Sequence, residues 1–241
     1  MDSLLIVVVH GGQHTKRCWQ PTINVINSDA PQCQTLAVDL PGHGDAVGDL
    51  ATLSISDCVD EVVDKIQKQD PQRVIIVGHS MAGITLPGVA AKLGAARIQR
   101  MVYVACCIPP QGKRVIDTLH MPMNVVAGLA SKLTKVSKPL PKWFASWVFA
   151  NGATRAQKQF VCSCLCDEST KVTVEPVDRR NYPDVPTTWV LPLQDKALSP
   201  ASQRRFMQNL GRVDEVVEID TCHNAMVSEP EALARAILAH Y

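Results

Sequence analysis

The chain has 241 residues, with 24 Lys+Arg against 23 Asp+Glu for a formal charge of +1, and with 46% apolar and 20% charged residues. That length and balance exclude a disordered, collagen-like or coiled-coil chain, and they leave room for one large domain or two small ones. No global field draws the chain to nucleic acid, and its apolar runs of roughly six to nine residues fall short of the about 20 that a membrane span needs.

Met1-Asp2-Ser3 leads straight into Leu4–Val9. The basic start, longer apolar core and small-residue cleavage site of a secretory signal are missing, so the run reads as a buried strand. Further short runs follow at Gln34–Val38, Val74–Val77, Met101–Ala105, Trp189–Leu193 and Val213–Ile219. They are β-branched or otherwise apolar, and several lack clean alternation. That is the pattern of strands buried on both faces of a parallel sheet. Helical patterns lie between them at Ser56–Gln69, Met81–Leu93, Pro200–Leu210 and Pro230–His240, with Asp57, Ser80, Ser199 and Glu229 near their starts. The alternation predicts a doubly wound, mostly parallel α/β sheet with right-handed crossovers.

From about Ile108 to Pro186 the rhythm stops. No buried-strand run appears there, and Pro109-Pro110, Pro139, Pro141, Pro183 and Pro186 punctuate helix formers. The stretch is expected to be a helical insertion over one sheet edge, within a single domain spanning 1–241. Between Lys113 and Lys158 it carries eight Lys/Arg against the single acid Asp117. That bias reads first as a solvated face and second as attraction for an anionic substrate or surface. The nine cysteines are an odd set, including Cys106-Cys107 and Cys162-x-Cys164-x-Cys166. In a chain long enough to fold without staples they fit a reducing, cytoplasmic setting. A zinc site would need a fourth ligand that no second C-x-x-C or H-x-x-x-H supplies. Ordinary buried thiols are expected, with no metal and no organic cofactor.

The strongest chemical signal is Val74-Ile75-Ile76-Val77-Gly78-His79-Ser80-Met81-Ala82-Gly83. A strand ends, a tight turn follows and a helix opens, which is the context a G-x-S-x-G-type nucleophile turn requires. Ser80 would present its hydroxyl above the carboxyl ends of the strands, where open α/β sheets bind ligands. Bulk two residues to either side would strike backbone, hence Gly78 and Ala82. His10-Gly11-Gly12 directly follows the first strand and can offer the Gly12 N–H, beside that of Met81, as an oxyanion hole; the alternative is a Gly-Gly turn with no catalytic part. Serine needs an imidazole to take its proton. His223 follows the last strand run and precedes the terminal helix, so it is the expected base ahead of His10, His14, His43, His79, His120 and His240. Asp195, after Trp189–Leu193, is the expected acid that orients it, with Asp220 as rival. The chain order Ser80, Asp195, His223 is that of an α/β-hydrolase.

With these residues the whole chain resembles the α/β-hydrolase superfamily, and most of all its branch of plant methyl esterases and hydroxynitrile lyases. The resemblance rests on His10-Gly11-Gly12-x-His14 with Trp19, Asp39-Leu40-Pro41-Gly42-His43-Gly44 and Gly78-His79-Ser80. It continues in Asp195-Lys196 with Pro200 and Gln203, and in His223 with Met226, Ser228 and Pro230. It covers about two thirds of the chain and is thin across the insertion, which corresponds to that branch's cap. Ala82-Gly83 stands where the turn usually has Gly-Gly, and Pro87 should kink the helix that follows. The lyases of the branch carry threonine and lysine where this chain has Gly11 and Asn224, so the resemblance favours ester hydrolysis over cyanohydrin cleavage.

The expected activity is hydrolysis of a small, apolar or aromatic carboxylic ester through an acyl-enzyme. Gly11, His14, Trp19, Trp143 and Trp147 are the expected substrate contacts. The cap residues Met121, Met123, Leu129, Leu133, Trp143, Phe144, Trp147 and Phe149 are candidates for the pocket's upper wall. Hydroxynitrile lyase, lactonase or thioesterase chemistry on the same site, or a ligand-binding receptor, are the alternatives. The expected partner is a small-molecule ester, with no nucleic acid and no membrane span. A homodimer stays open, because dimer contacts are not legible in composition.

Overall fold

Six strands carry the sheet, and their sequence explains why it is parallel and doubly covered. The structure, a computed structural model, describes residues 4–119, 123–239 and 241. In chain order it forms β1 (Leu4–Val9), α1 (Gln20–Asp29), β2 (Gln34–Val38), α2 (Ile55–Gln69), β3 (Arg73–His79), α3 (Leu86–Leu93) and β4 (Ile98–Val104). After the insertion come β7 (Thr187–Pro192), α8 (Pro200–Leu210), β8 (Glu215–Ile219), α9 (Ala225–Ser228) and α10 (Pro230–Leu238). The insertion itself holds α4 (Met123–Leu133), β5 (Val136–Ser137), α5 (Lys142–Phe149), α6 (Arg155–Ser163), β6 (Glu168–Ser169) and α7 (Lys171–Val174). The strand order is β2-β1-β3-β4-β7-β8, parallel throughout. The doubly wound sheet expected from the sequence is therefore what forms, with strand ends within three residues of the apolar runs.

Alternate residues of one strand enter two different cores. Leu5, Val7 and Val9 of β1 pack with Val59, Val62 and Ile66 of α2, Leu86 and Val89 of α3, and Phe206 of α8. Ile6 and Val8 pack on the other face with Ile23 and Ile26 of α1 and Leu233 and Ile237 of α10. A strand buried on both faces has no reason to alternate polar with apolar. Each such Val, Leu or Ile contributes about 1.5–3 kcal/mol through removal from water. The edge strand β8 alternates in exposure rather than in polarity, with Val216 and Glu218 exposed and Glu215, Val217 and Ile219 turned inward, and charge on an edge discourages pairing with another chain.

Four local differences from the sequence reading have identifiable causes. Helix α1 has only Thr22, Ile23 and Ile26 buried, too few to stamp a helical period on the sequence. The expected helix Met81–Leu93 is split into a 3₁₀ turn at Ser80–Ile84 and α3. Pro87 lies in the first turn of α3, where a missing N–H costs nothing, so it restarts a helix rather than kinking one. Helix α10 ends at Leu238 and His240 lies outside the described residues. The insertion contains the two-residue antiparallel ladder of β5 and β6, too short for any periodicity to reveal.

Because β2 lies on one side of β1 and β3 on the other, the chain changes direction between β1 and β3. Such a switch point opens a crevice at the carboxyl ends of the strands. Val9 pairs with Gly78 there, so the residues that follow β1 and β3 emerge side by side.

Candidate active site

Ser80 stands at the end of β3 with φ +52°, a left-handed conformation that a non-glycine residue adopts only when its surroundings impose it. Its neighbours are small because there is no room. A Cβ on Gly78 would lie 2.7 Å from the Leu86 methyls and 3.0 Å from the Ala82 Cβ. A Cβ on Gly83 would lie 2.5 Å from the Cys107 carbonyl oxygen. The Cys107 N–H donates to the Ser80 carbonyl at 2.9 Å, which pins the turn to the end of β4. The result is a half-exposed hydroxyl held over the switch point.

His223 follows β8. Its Nε2 lies 3.0 Å from Ser80 Oγ and its Nδ1 lies 2.7 Å from Asp195 Oδ2. The carboxylate places the ring proton on Nδ1, which leaves Nε2 a lone pair facing the hydroxyl. Asp195 is itself held on every side. Oδ1 accepts from the Ala197 and Leu198 N–H groups at 2.7 and 2.8 Å, and Oδ2 accepts from Gln203 Nε2 at 2.9 Å. Gln203 in turn accepts from Trp189 Nε1 at 3.2 Å, so the acid is anchored to strand β7. Asp220 is exposed and accepts from Gln194 Nε2 instead. The three distant residues of the sequence reading thus converge, and the rival acid stays away from them.

The turn after β1 is braced by histidines. His10 Nδ1 donates to the Gly11 carbonyl at 2.8 Å, and His14 Nδ1 donates to the Gly12 carbonyl at 2.8 Å. In a trans peptide the N–H points opposite to the C=O. The grip on the Gly11 oxygen therefore sets the direction of the Gly12 N–H. Their other nitrogens accept, His10 Nε2 from the Leu40 N–H at 3.1 Å and His14 Nε2 from Asn224 Nδ2 at 2.9 Å. Burial, with further contributions from neighbouring imidazoles, lowers both pKa values to about 4. His79 sits under His223, ring centroids 4.5 Å apart, and donates from Nε2 to the His223 carbonyl at 3.0 Å. Burial first and then the His223 charge hold its pKa well down.

Gly11 is packed so tightly that a Cβ would lie 2.7 Å from the Ser80 Cβ. A threonine there, the residue of the lyases in this branch, has no space. Gly12 and Met81 border one cavity of about 20 Å³ together with Leu40, Leu53, Ile55, Ile84 and Val172. That is room for about one water. His43 and Glu168 are the charged members of its wall. In the sequence His43 enters as a competing base and as part of the motif Asp39-Leu40-Pro41-Gly42-His43-Gly44, and Glu168, within the insertion, carries no local signal.

The expected substrate contacts divide. Gly11 and His14 lie beside Ser80 and His223. Trp19 does not: the 3₁₀ turn at Lys16–Trp19 carries its indole, fully buried, into the core with Cys18, Ile23 and Met226. Trp143 is 75% exposed and Trp147 54% exposed. They flank Phe144 on the outer side of α5, with Lys196 Nζ 4.7 Å over the Trp147 ring. The Trp19 expectation is thereby corrected, since sequence cannot say which side of a short turn faces inward, whereas Trp143 and Trp147 stand as exposed rings of the cap. The cap ring that does reach the site is Phe149, 5.6 Å from the His223 ring and 5.3 Å from that of His14. Leu129 and Leu133 are exposed. Met121 and the side chain of Met123 lie outside the described residues.

All nine cysteines are free thiols. Among the described residues no group of three or more His, Cys, Asp or Glu is placed to hold a metal ion. No helix among them is long and apolar enough to cross a membrane.

Comparison with known proteins adds a lineage to this geometry. In sequence the chain is 28% identical to mouse (Mus musculus) protein phosphatase methylesterase 1 over 131 residues, 53% of this chain and 33% of that protein. It is 24% identical to a putative chloroplastic methylesterase 11 of Arabidopsis thaliana, covering 95% of this chain and 57% of the relative. It is 24% identical to the probable esterase PIR7A of Oryza sativa subsp. indica, covering 96% and 94%. The chain thus spans a third to under three fifths of the length of the first two. In fold it superposes on an extracellular alpha/beta-hydrolase from a Paenibacillus species with a TM-score of 0.86 at 21% identity, over 98% of both chains. Polyneuridine aldehyde esterase gives a TM-score of 0.78 at 18% identity, again over 98% of both. The likeness to plant esterases expected from the motifs therefore appears in both sequence and fold. A model of the alpha/beta hydrolase family matches residues 6–236, nearly the whole sheet-and-helix frame that holds Ser80, Asp195 and His223, and the chain belongs to that family.

Proposed function

We propose that the protein hydrolyses a carboxylic ester of a small, apolar or aromatic substrate through an acyl-enzyme. The observation that carries the reading is the unbroken hydrogen-bond chain from a half-exposed Ser80 hydroxyl through His223 to a saturated Asp195 carboxylate. In the reaction Ser80 Oγ bonds to the ester carbonyl carbon while His223 Nε2 takes the hydroxyl proton. The carbonyl electrons move onto oxygen, and the N–H groups of Gly12 and Met81 are assigned to hold that oxyanion. One such donor is typically worth about 10²–10³ in rate. As the tetrahedral adduct collapses, the C–O bond to the alcohol breaks and His223 returns the proton to it. Water then attacks the acyl-enzyme with the same imidazole as base, and the acid leaves with Ser80 restored. Asp195 holds the tautomer and stabilises the imidazolium without taking the proton.

The apolar cavity under the oxyanion turn supports a small acyl group, and the esterase names among the relatives support the reaction class. The absence of space at Gly11 and the engagement of Asn224 with His14 speak against a lyase. Wild-type protein should release p-nitrophenol from p-nitrophenyl acetate, and Ser80→Ala should reduce turnover by at least about 10³-fold. Survival of the activity in that variant overturns the reading.

A further inference from the structure

We propose that Glu168, carried by the cap and held by His43, is a positioning residue for the oxyanion turn Gly11–Gly12–Gln13; the inference rests on the ester-hydrolase reading above. Its basis is the way Gln13 is tied. The Gln13 N–H donates to Glu168 Oε2 at 2.9 Å, and its carbonyl accepts from the Cys166 N–H at 3.0 Å. Its side chain donates from Nε2 to the Lys138 carbonyl at 3.2 Å and accepts at Oε1 from the Leu140 N–H at 3.0 Å. All four polar groups of one residue, next to the proposed oxyanion donor Gly12, are thus bonded to the cap. The ladder of β5 and β6, with Ser137 opposite Glu168, brings the two cap stretches together over the turn.

Gln13 has φ +58°. A side-chain-bearing residue keeps that conformation only where its surroundings over-determine it. Released from the cap, Gln13 would relax to negative φ and rotate the Gly12–Gln13 peptide, and Gly12 with it. Glu168 is the anchor with the most to hold it. It is 6% exposed, and its Oε2 also accepts from His43 Nε2 at 3.2 Å while Oε1 accepts from the Ser169 N–H at 2.8 Å. His43 Nδ1 donates to the Pro41 carbonyl at 3.1 Å. Both ring nitrogens therefore face acceptors, as an imidazolium requires. Buried ion pairs are often no better for stability than apolar residues of equal size. What this pair supplies is a fixed carboxylate oxygen directly behind the turn, 3.4 Å from where a Gly12 Cβ would lie.

The test compares kcat and KM for p-nitrophenyl acetate with the Ki of phenylboronic acid, whose tetrahedral adduct on serine places an oxygen in the oxyanion hole. Glu168→Ala should lower kcat about 10- to 100-fold with KM within about threefold, and Ki should rise by the same factor. Glu168→Gln, whose amide oxygen can still accept from the Gln13 N–H, should restore most of both. Wild-type kcat in Glu168→Ala overturns the proposal. So does a fall in kcat with Ki unchanged, or a rise in KM alone, which would make the cap contact a matter of substrate holding. If Glu168→Ala does not fold, His43→Gln decides by the same rule. Parallel losses of about threefold or more support the proposal, and wild-type values overturn it. A wild-type protein without esterase activity would sink the functional reading itself and is thereby told apart.

Discussion

Acidification from pH 7 to pH 5 should destabilise the fold steeply, because buried imidazoles are built in as neutral groups. His10 Nε2 accepts the Leu40 N–H and His14 Nε2 accepts from Asn224. Protonating either would set a donor against a donor at a buried position. Their pKa values are lowered from 6.5 to about 4, so between those values the unfolded chain binds protons that the folded chain refuses, and stability falls as pH falls. Integrated from pH 7 to pH 5, each contributes a loss of about 2 kcal/mol, about 4 kcal/mol together. His79 acts in the same direction. His43 acts in the opposite direction near the top of this range. Burial opposes its charge, but Glu168 and the Pro41 carbonyl more than compensate and raise its pKa. Its contribution is complete below about 6.5 and is lost only as pH rises through the folded value. Glu168 is held below its usual range by His43 and the Gln13 N–H, against the effect of burial. Its contribution is lost only as pH falls through that lower value. Against a total stability of about 5–15 kcal/mol, the expected loss should be plain in urea unfolding at the two pH values. His14→Gln should start less stable and lose about 2 kcal/mol less between them. A loss under about 1 kcal/mol in the wild type, or an equal loss in the variant, refutes the reasoning.

Two further outcomes follow from the packing. Gly11→Thr should not create a lyase. Its Cβ would meet Ser80 at 2.7 Å, so kcat/KM for p-nitrophenyl acetate should fall about 100-fold, with no cyanide released from mandelonitrile; wild-type esterase activity in this variant contradicts the geometry. Trp143→Ala should leave kcat and KM within about twofold, since Trp143 faces solvent, whereas Phe149→Ala, which strips the ring from His223, should lower kcat about tenfold. The reverse pattern in steady-state kinetics would place the tryptophan at the substrate.

What the sequence revealed, and what it hid, follows the range of each interaction. Leu4–Val9 and Val74–Val77 announce themselves because a strand buried on both faces must be apolar along its buried length. Ser80 is legible because the turn that holds it tolerates only small neighbours. The order of Ser80, Asp195 and His223 survives in the chain because each follows a different strand end of one sheet. Trp19, by contrast, sits beside motif residues in sequence yet turns into the core within one 3₁₀ turn. Glu168 meets Gln13 and His43 across more than a hundred residues. That contact depends on how the insertion folds back, and no periodicity records it. The helix α1 escaped notice because its buried face is three residues wide.

The central claim is that Ser80 is a nucleophile activated by His223 and oriented through Asp195. A fluorophosphonate probe followed by peptide mass spectrometry measures this directly. The adduct should fall on Ser80 at one per chain, with labelling slowed by at least about 10²-fold in His223→Ala and also slowed in Asp195→Ala. Labelling elsewhere, or at an unchanged rate without the imidazole, would contradict it.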